Sequence, residues 1–216
     1  MPCKLVVLLS GSGSNLQAFI DACNNKTLPN TIISAVISNK ADAFGLVRAQ
    51  QAGIPTACID HKKFASRHEF DTALQNQIDS YNADLIILAG FMRILTPEFV
   101  RHYLGRLINI HPSLLPKYPG LNTHQRALDA GDSEAGATVH FVTEELDGGP
   151  AIIQAKIPIF NGDDTATLSA RVLSKEHTIY PLAAQWFAEG RLSLQNSKAV
   201  LDDKELPESG VLFQQD

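Results

Sequence analysis

Residues 4–15 read KLVVLLSGSGSN, and this stretch decides the fold class. Its first six residues are almost all apolar, as expected for a parallel strand that is buried on both faces. A turn with two glycines follows, and residues 16–23 then have the composition of a helix. In such a turn the backbone N–H groups and the helix dipole can hold an anion. The stretch therefore predicts an α/β protein with a phosphate site at its first turn.

This turn departs from the common nucleotide-binding motifs. The third glycine of a dinucleotide fingerprint is absent, and the second predicted strand ends in Ser38-Asn39, without the acidic residue that grips a ribose. The Gly-Lys-Ser/Thr sequence of a Walker loop is absent as well. The turn therefore favours a phosphate monoester on a small substrate over NAD or ATP. The alternative is a tight strand-to-helix turn that is capped by Ser14.

Strands and helices alternate along the rest of the chain. The predicted strands are residues 31–38, 54–59, 84–89, a strand from Leu107, 136–143 and 149–159, and the predicted helices are 42–52, 66–81, a short one near Pro97, 122–130 and 165–190. Short joints between them indicate right-handed βαβ units on a parallel sheet. The tight turn between the last two strands suggests an antiparallel hairpin. We expect an α/β, Rossmann-like fold: a mostly parallel twisted sheet with helices on both faces and an antiparallel C-terminal edge.

Composition excludes several functional classes. The net charge of −5 argues against a protein that binds nucleic acid or anionic membranes. The three cysteines are widely spaced and the histidines lack partners at ligand spacing, so we expect no metal site. His140, in a strand of period two, should be a satisfied polar partner. The chain shows neither a signal segment nor a long apolar run, so we expect a cytoplasmic protein.

An Asn-x-His sequence stands at the end of the apolar run that begins at Leu107. Side chains two residues apart in a strand point the same way, so Asn109 and His111 project together. Pro112 keeps His111 extended and prevents a helix from starting there. The pair combines an electrophile-polarising amide with a side chain that can act as general acid or base. The alternative is a polar strand end that caps a turn.

Residues 144–150 read EELDGGP and form the third feature. The paired glycines permit positive φ, so this loop can fold back sharply over a neighbouring strand end. Asp147 is therefore a candidate partner for His111. The alternative is a solvated acidic hairpin turn.

Three motifs together resemble a known family. They are Gly-Ser-Gly-Ser-Asn after the first strand, residues 109–116 (NIHPSLLP) and residues 145–150 (ELDGGP), and they resemble the phosphoribosylglycinamide formyltransferases, folate-dependent enzymes of purine synthesis. The resemblance covers residues 4–195. The Asn/His/Asp set is shared by all formyltransferases that use 10-formyltetrahydrofolate, whereas the short chain, Lys117-Tyr118-Pro119-Gly120 and the first turn point to this branch. The turn carries Ser12 where relatives often have Asn.

The resemblance implies a role for each matching residue. Binding of the substrate phosphate is implied for Gly13, Ser14 and Asn15, and binding of its ribose for Glu176. Catalysis is implied for Asn109, His111 and Asp147. Folate contacts, with the backbone around Arg93 and Leu95 meeting the pterin, are implied for Arg67, Met92, Arg93, Ile94, Leu95, Asn109, Thr143, Glu144, Glu145, Leu146 and Asp147. A cis Leu115–Pro116 bond is implied too.

The implied activity is transfer of the formyl group of 10-formyltetrahydrofolate, the co-substrate, to the amine of glycinamide ribonucleotide, without a metal. The implied partners are these two small molecules, with no nucleic acid and no membrane, and the enzyme would be a monomer or a homodimer. We expect one formyltransferase domain over 1–216, with a phosphate-binding half at about 1–100, a folate-binding and catalytic half at about 101–195, and a loose tail at 196–216.

Three alternatives stay open. A formyltetrahydrofolate hydrolase would use the same Asn/His/Asp set with water as acceptor, but such relatives carry an extra N-terminal module for which we expect no room here. A methionyl-tRNA formyltransferase would need an RNA-binding C-terminal domain and a basic surface. A non-catalytic module that binds a phosphate or a nucleotide would leave the Asn/His/Asp set unused.

Overall fold

The computed structural model describes residues 1–214 and divides into two compact units, residues 1–108 and the residues from Asn109 onward. Strand β5 (Leu107–His111) belongs to both, because the division falls within it. The other elements of the first unit are β1 (Cys3–Leu9), α1 (Ser14–Asn24), β2 (Thr31–Ser38), α2 (Phe44–Gln51), β3 (Thr56–Cys58), a 3₁₀ turn (His61–Lys63), α3 (Arg67–Asp79), β4 (Leu85–Leu88) and α4 (Pro97–His102). They follow the predicted alternation of strand and helix.

The first unit has the strand order β4-β1-β2-β3, and every pairing in it is parallel. Strand β1 is apolar from Leu5 to Leu9, and these five residues are fully buried. The strand order reverses after β3, because β4 returns to the far side of β1. With right-handed crossovers, this reversal places α3 on the opposite face of the sheet from α1 and α2. The carboxyl ends of β1 and β4 therefore border the point at which α/β folds bind ligands.

Local signals in the sequence explain where two helices of this unit begin. The Ser66 hydroxyl accepts the Glu69 N–H at the start of α3. The Thr96 hydroxyl accepts the Phe99 N–H at the start of α4, and Pro97 follows at the first helical position. Both arrangements satisfy N–H groups that would otherwise lack a partner in the first helical turn.

The second unit adds α5 (Thr123–Asp129), β6 (Glu134–Phe141), β7 (Ala151–Pro158), α6 (Thr165–Ala188), β8 (Leu192–Gln195), β9 (Lys198–Leu201), β10 (Lys204–Glu205) and β11 (Val211–Phe213). Its strand order is β5-β6-β7-β11, and α6 packs on β6 and β7. Strands β6 and β7 are antiparallel, as predicted, and β8, β9 and β10 form a separate antiparallel sheet. The predicted fold class is confirmed: the strand pairings are mostly parallel and helices pack on them.

The C-terminal segment differs from the expected loose tail at 196–216. It carries β9, β10 and β11, and β11 pairs parallel with β7, so the antiparallel hairpin does not form the edge. Gly210 makes this pairing possible, because a Cβ at that residue would lie 2.5 Å from the Ile152 carbonyl carbon. Strands of two to four residues are too short to give a periodic pattern, so only their distant partner reveals them. Gln215 and Asp216 lie outside the described residues.

None of the helices within residues 1–214 combines the length and the apolar character needed to cross a membrane. No cluster of three or more His, Cys, Asp or Glu side chains in that part of the chain is arranged to hold a metal ion.

Candidate active site

The end of β5 presents Asn109 and His111 on the same side, as the alternation of a strand requires. Ile108 and Ile110, which alternate with them along the strand, are buried, and His111 is itself only 5% exposed. After His111 the chain leaves the sheet at Pro112. The Leu115–Pro116 bond is cis, as the resemblance implied. This local structure fixes the backbone at both polar residues.

Both ring nitrogens of His111 face hydrogen-bond acceptors. Nε2 lies 2.9 Å from the Tyr118 carbonyl oxygen, and Nδ1 lies 3.4 Å from Oδ2 of Asp147. A neutral imidazole has one donor, whereas the imidazolium has two. The arrangement therefore suits the charged form, with the carboxylate of Asp147 as its counter-ion. The side chain of Asp147 is 9% exposed, so solvent screens this contact weakly.

Asp147 is held in place by a hydrogen bond from the segment between β5 and α5. The Gly120 N–H donates to its Oδ2 at 2.8 Å, and its own backbone has φ of 52°. The paired glycines permit positive φ, but the positive φ of this loop is at Asp147 itself. Gly149 is needed for space. A Cβ at Gly149 would overlap the carbonyl oxygen of Phe141, so only glycine lets the loop approach this strand.

His140 on β6 bonds to Asn109 and lies near Asp147. Nδ2 of Asn109 donates to its Nε2 at 3.1 Å, and its Nδ1 donates to the Phe141 carbonyl oxygen at 2.9 Å. Burial lowers the pKa of His140 to about 4, so its 3.9 Å contact with Asp147 is not an ion pair at neutral pH. The prediction that His140 is a satisfied polar partner is confirmed. Its link to Asn109 was not predicted, because it depends on how β5 and β6 are aligned.

The turn between β1 and α1 is held by contacts with α2. Gly13 has φ of 70° and precedes α1, and a Cβ there would lie 2.6 Å from the Gly45 Cα. The Gly45 N–H donates to the Gly11 carbonyl at 3.0 Å, and Nε of Arg48 donates to the Ser12 carbonyl at 2.9 Å.

The alternative role of Ser14 as a cap is wrong, because Gly13 occupies the cap position without a side-chain bond and Ser14 is the first helical residue. Asn15, next in α1, is buried. The turn therefore presents backbone groups at the start of a helix, as an anion site requires.

The residues predicted to contact folate are divided between the units. In the first unit, Arg67 is the exposed first residue of α3, and 92–95 form an irregular segment after β4. Met92 and Ile94 in that segment are 65% and 60% exposed. In the second unit, 143–147 form the loop between β6 and β7, in which Leu146 is 58% exposed. Glu176, predicted to hold the ribose, is a buried residue of α6.

Comparison with protein families decides the classification. The family model described as formyl transferase matches residues 3–184. The chain belongs to the formyl transferase family. The matched residues of this formyl transferase include Asn109, His111, His140 and Asp147, together with all the other predicted site residues.

Individual relatives of this formyl transferase are similar over nearly its whole length. The phosphoribosylglycinamide formyltransferase of Escherichia coli (strain K12) is 58% identical over 207 residues, which cover 96% of this chain and 97% of that protein. The trifunctional purine biosynthetic protein adenosine-3 of Bos taurus is 48% identical over 192 residues, covering 88% of this chain and 19% of that protein. A solved phosphoribosylglycinamide formyltransferase from Coxiella burnetii superposes with a TM-score of 0.95 at 56% identity, covering 99% and 100% of the two chains.

Proposed function

We propose that this chain transfers the formyl group of 10-formyltetrahydrofolate to the amine of glycinamide ribonucleotide, in the cytoplasm and as a step of purine synthesis. The products are formylglycinamide ribonucleotide and tetrahydrofolate. The observation that carries the proposal is the arrangement of four side chains in the second unit. Asn109 donates to buried His140, and the carboxylate of Asp147 faces buried His111. The near full-length similarity to the Escherichia coli relative supports the choice of substrates.

The reaction passes through a tetrahedral oxyanion, formed when the amine attacks the formyl carbon. Stabilising that charge requires donors and positive charge that are fixed in advance. One amide proton of Asn109 is engaged by His140, which orients the side chain so that the second can be directed at the oxyanion. The imidazolium of His111 supplies positive charge beside it.

Proton transfer completes the exchange. The attacking amine loses a proton and the leaving nitrogen of the folate gains one. In the proposed mechanism, Asp147 assists this transfer directly or through water, while its carboxylate faces Nδ1 of His111. No covalent bond to the enzyme is formed, and the two substrates react because they are held together.

Substrate binding is assigned to the remaining predicted residues. The substrate phosphate is held by backbone groups of Gly13 to Asn15, and the ribose by Glu176. The reduced folate is bound by Arg67, by residues 92–95, and by residues 143–147. Exposed apolar side chains in both folate segments support this assignment, because a pterin is a flat ring system that packs against apolar groups.

The test is to supply 10-formyltetrahydrofolate with and without glycinamide ribonucleotide and to follow tetrahydrofolate formation. We expect product only when the ribonucleotide is present. A second acceptor that lacks the phosphate should react only at much higher concentration. Formyl release without any acceptor would identify a hydrolase, and binding of both ligands without turnover would identify a non-catalytic module.

A further inference from the structure

Asn39 occupies a distinctive position in the fold, directly after β2. In dinucleotide-binding proteins of this architecture, an acidic residue at this point grips a ribose. Here the residue is an amide and is only 2% exposed, so it cannot meet a ligand from solvent. Its side chain is instead bonded within the first unit, to Ser10 at the end of β1 and to His61 in the 3₁₀ turn.

The hydroxyl of Ser10 connects Asn39 to the proposed folate segment. It donates to Oδ1 of Asn39 at 2.6 Å and accepts the N–H of Met92 at 2.8 Å. The Ser10 N–H in turn donates to the Gly90 carbonyl at 3.1 Å. Ser10 is 5% exposed, so water cannot easily replace these partners. A buried chain of hydrogen bonds therefore runs from the end of β2, through the end of β1, to the residue that opens the segment after β4.

This connection matters because residues 91–95 belong to neither a helix nor a strand. The far end is held in the same manner, since the Thr96 N–H donates to Oδ2 of buried Asp71 at 2.6 Å. Between these two points, the Arg93 N–H donates to the Phe91 carbonyl at 3.0 Å. The conformation of the segment thus depends on side-chain acceptors that reach it from other elements.

We infer that Ser10 and Asn39 are positioning residues for folate, because they fix the segment Met92–Leu95 in its binding conformation. The inference rests on the proposed function for its ligand, and on the hydrogen bonds alone for its effect on the segment. Asn39 orients the Ser10 hydroxyl so that its lone pair faces Met92. In dinucleotide-binding folds the residue at this position binds a ribose. Here the residue is Asn39, and its buried side chain stabilises the segment after β4 through Ser10.

The phosphate turn should not share this dependence, although it begins one residue after Ser10. Its carbonyl groups at Gly11 and Ser12 are held by Gly45 and Arg48 of α2. None of these bonds uses the hydroxyl of Ser10. Loss of that hydroxyl should therefore weaken folate binding and leave binding of the phosphorylated substrate nearly unchanged.

The experiment compares Ser10→Ala and Asn39→Ala with the wild-type protein. We expect the Kd for tetrahydrofolate to rise about tenfold in Ser10→Ala, the scale of one lost hydrogen bond, while the Kd for glycinamide ribonucleotide changes by less than about twofold. Amide hydrogen exchange at Met92, followed by NMR without ligand, should accelerate in both variants. Ser10→Thr keeps the hydroxyl and should restore slow exchange and tight folate binding.

Ser38→Ala is the matched control. Ser38 is another buried serine at the end of a strand. Its hydroxyl accepts the Lys40 N–H, whereas that of Ser10 accepts the Met92 N–H. It should change neither Met92 exchange nor either Kd. Unchanged Met92 exchange in a folded Ser10→Ala variant, or equal losses for both ligands, would overturn the inference. Failure of the wild-type protein to bind tetrahydrofolate would overturn the proposed function, and Met92 exchange would still decide whether these residues hold the segment.

Discussion

Asn109 carries two amide protons, and neutral His140 accepts one of them at 3.1 Å. The other is the proposed oxyanion donor. We predict that Asn109→Ala lowers kcat by about 10²–10³, the usual loss for one such donor, while both substrate Kd values change little. Steady-state kinetics and calorimetric titration of each ligand check this. A near-normal kcat with weakened affinity would make Asn109 a binding residue instead.

Asp147 contributes charge as well as position. Asp147→Asn keeps the size of the side chain and removes the negative charge of the carboxylate, whose Oδ2 lies 3.4 Å from Nδ1 of His111. We predict that kcat falls by more than about tenfold, within the range of general acid–base assistance, while both substrate Kd values change little. Steady-state kinetics and calorimetric titration of each ligand measure this. A folded Asp147→Asn variant with near-normal kcat would show that the charge of Asp147 takes no part in the reaction.

The sequence predicted part of this residue set for a clear reason. Asn109 and His111 are two residues apart in one strand, so their common direction follows from local geometry. Asp147 was predicted from its loop, without knowledge of its backbone angle. The role of His140 could not be predicted, because it depends on the alignment of two strands 31 residues apart in the chain. A histidine between two apolar residues of that strand was the available signal.

Among the elements, the loop between β6 and β7 depends on one of its two glycines more than the other. A Cβ at Gly149 meets the rigid Phe141 backbone, whereas a Cβ at Gly148 meets the flexible side chain of Glu145. We predict that Gly149→Ala lowers the free energy of unfolding by about 1–3 kcal/mol, as overpacking does, and that it also lowers kcat by displacing Asp147. Gly148→Ala should stay within about 0.5 kcal/mol of wild type. Denaturant titrations compare the two, and equal losses would contradict this account.

The turn between β1 and α1 has a separate and testable role. Gly13 combines φ of 70° with close approach to Gly45, so any side chain strains the turn and covers its backbone donors. We predict that Gly13→Val raises the KM for glycinamide ribonucleotide far more than the KM for the folate. Kinetics with each substrate varied in turn give both values. Parallel rises in a folded variant would remove the turn from the phosphate site.

Helices and strands could be predicted where burial leaves a clear pattern of apolar residues along the chain. Strand β2 has the predicted bounds because its apolar run stands between clear polar breaks. Strand β11 was missed because its pairing with β7 depends on contacts far along the chain and on the space left at Gly210. A local pattern contains no information on such partners.

Stability of the whole molecule should depend on pH through His140. Its pKa is near 6.5 in an unfolded chain and is lowered to about 4 in the fold, so acid favours the unfolded state, which binds the proton first. We predict a loss of roughly 2 kcal/mol in the free energy of unfolding between pH 7 and pH 5, levelling off below about pH 4. Urea titrations across this range measure it. His140→Gln should show a shallower dependence, and an unchanged slope would contradict the assignment.

The positive φ at Asp147 occurs in an Asp–Gly pair, the aspartyl sequence that most readily cyclises to a succinimide and reopens as isoaspartate. That reaction requires the nitrogen of Gly148 to attack the side-chain carbon of Asp147. In the fold the Gly148 N–H donates to the Glu145 carbonyl at 3.2 Å, and Oδ2 of Asp147 accepts the Gly120 N–H. We therefore expect isoaspartate to form at Asp147 only after the loop has opened. A preparation stored near its unfolding transition would lose activity through covalent damage that refolding cannot reverse.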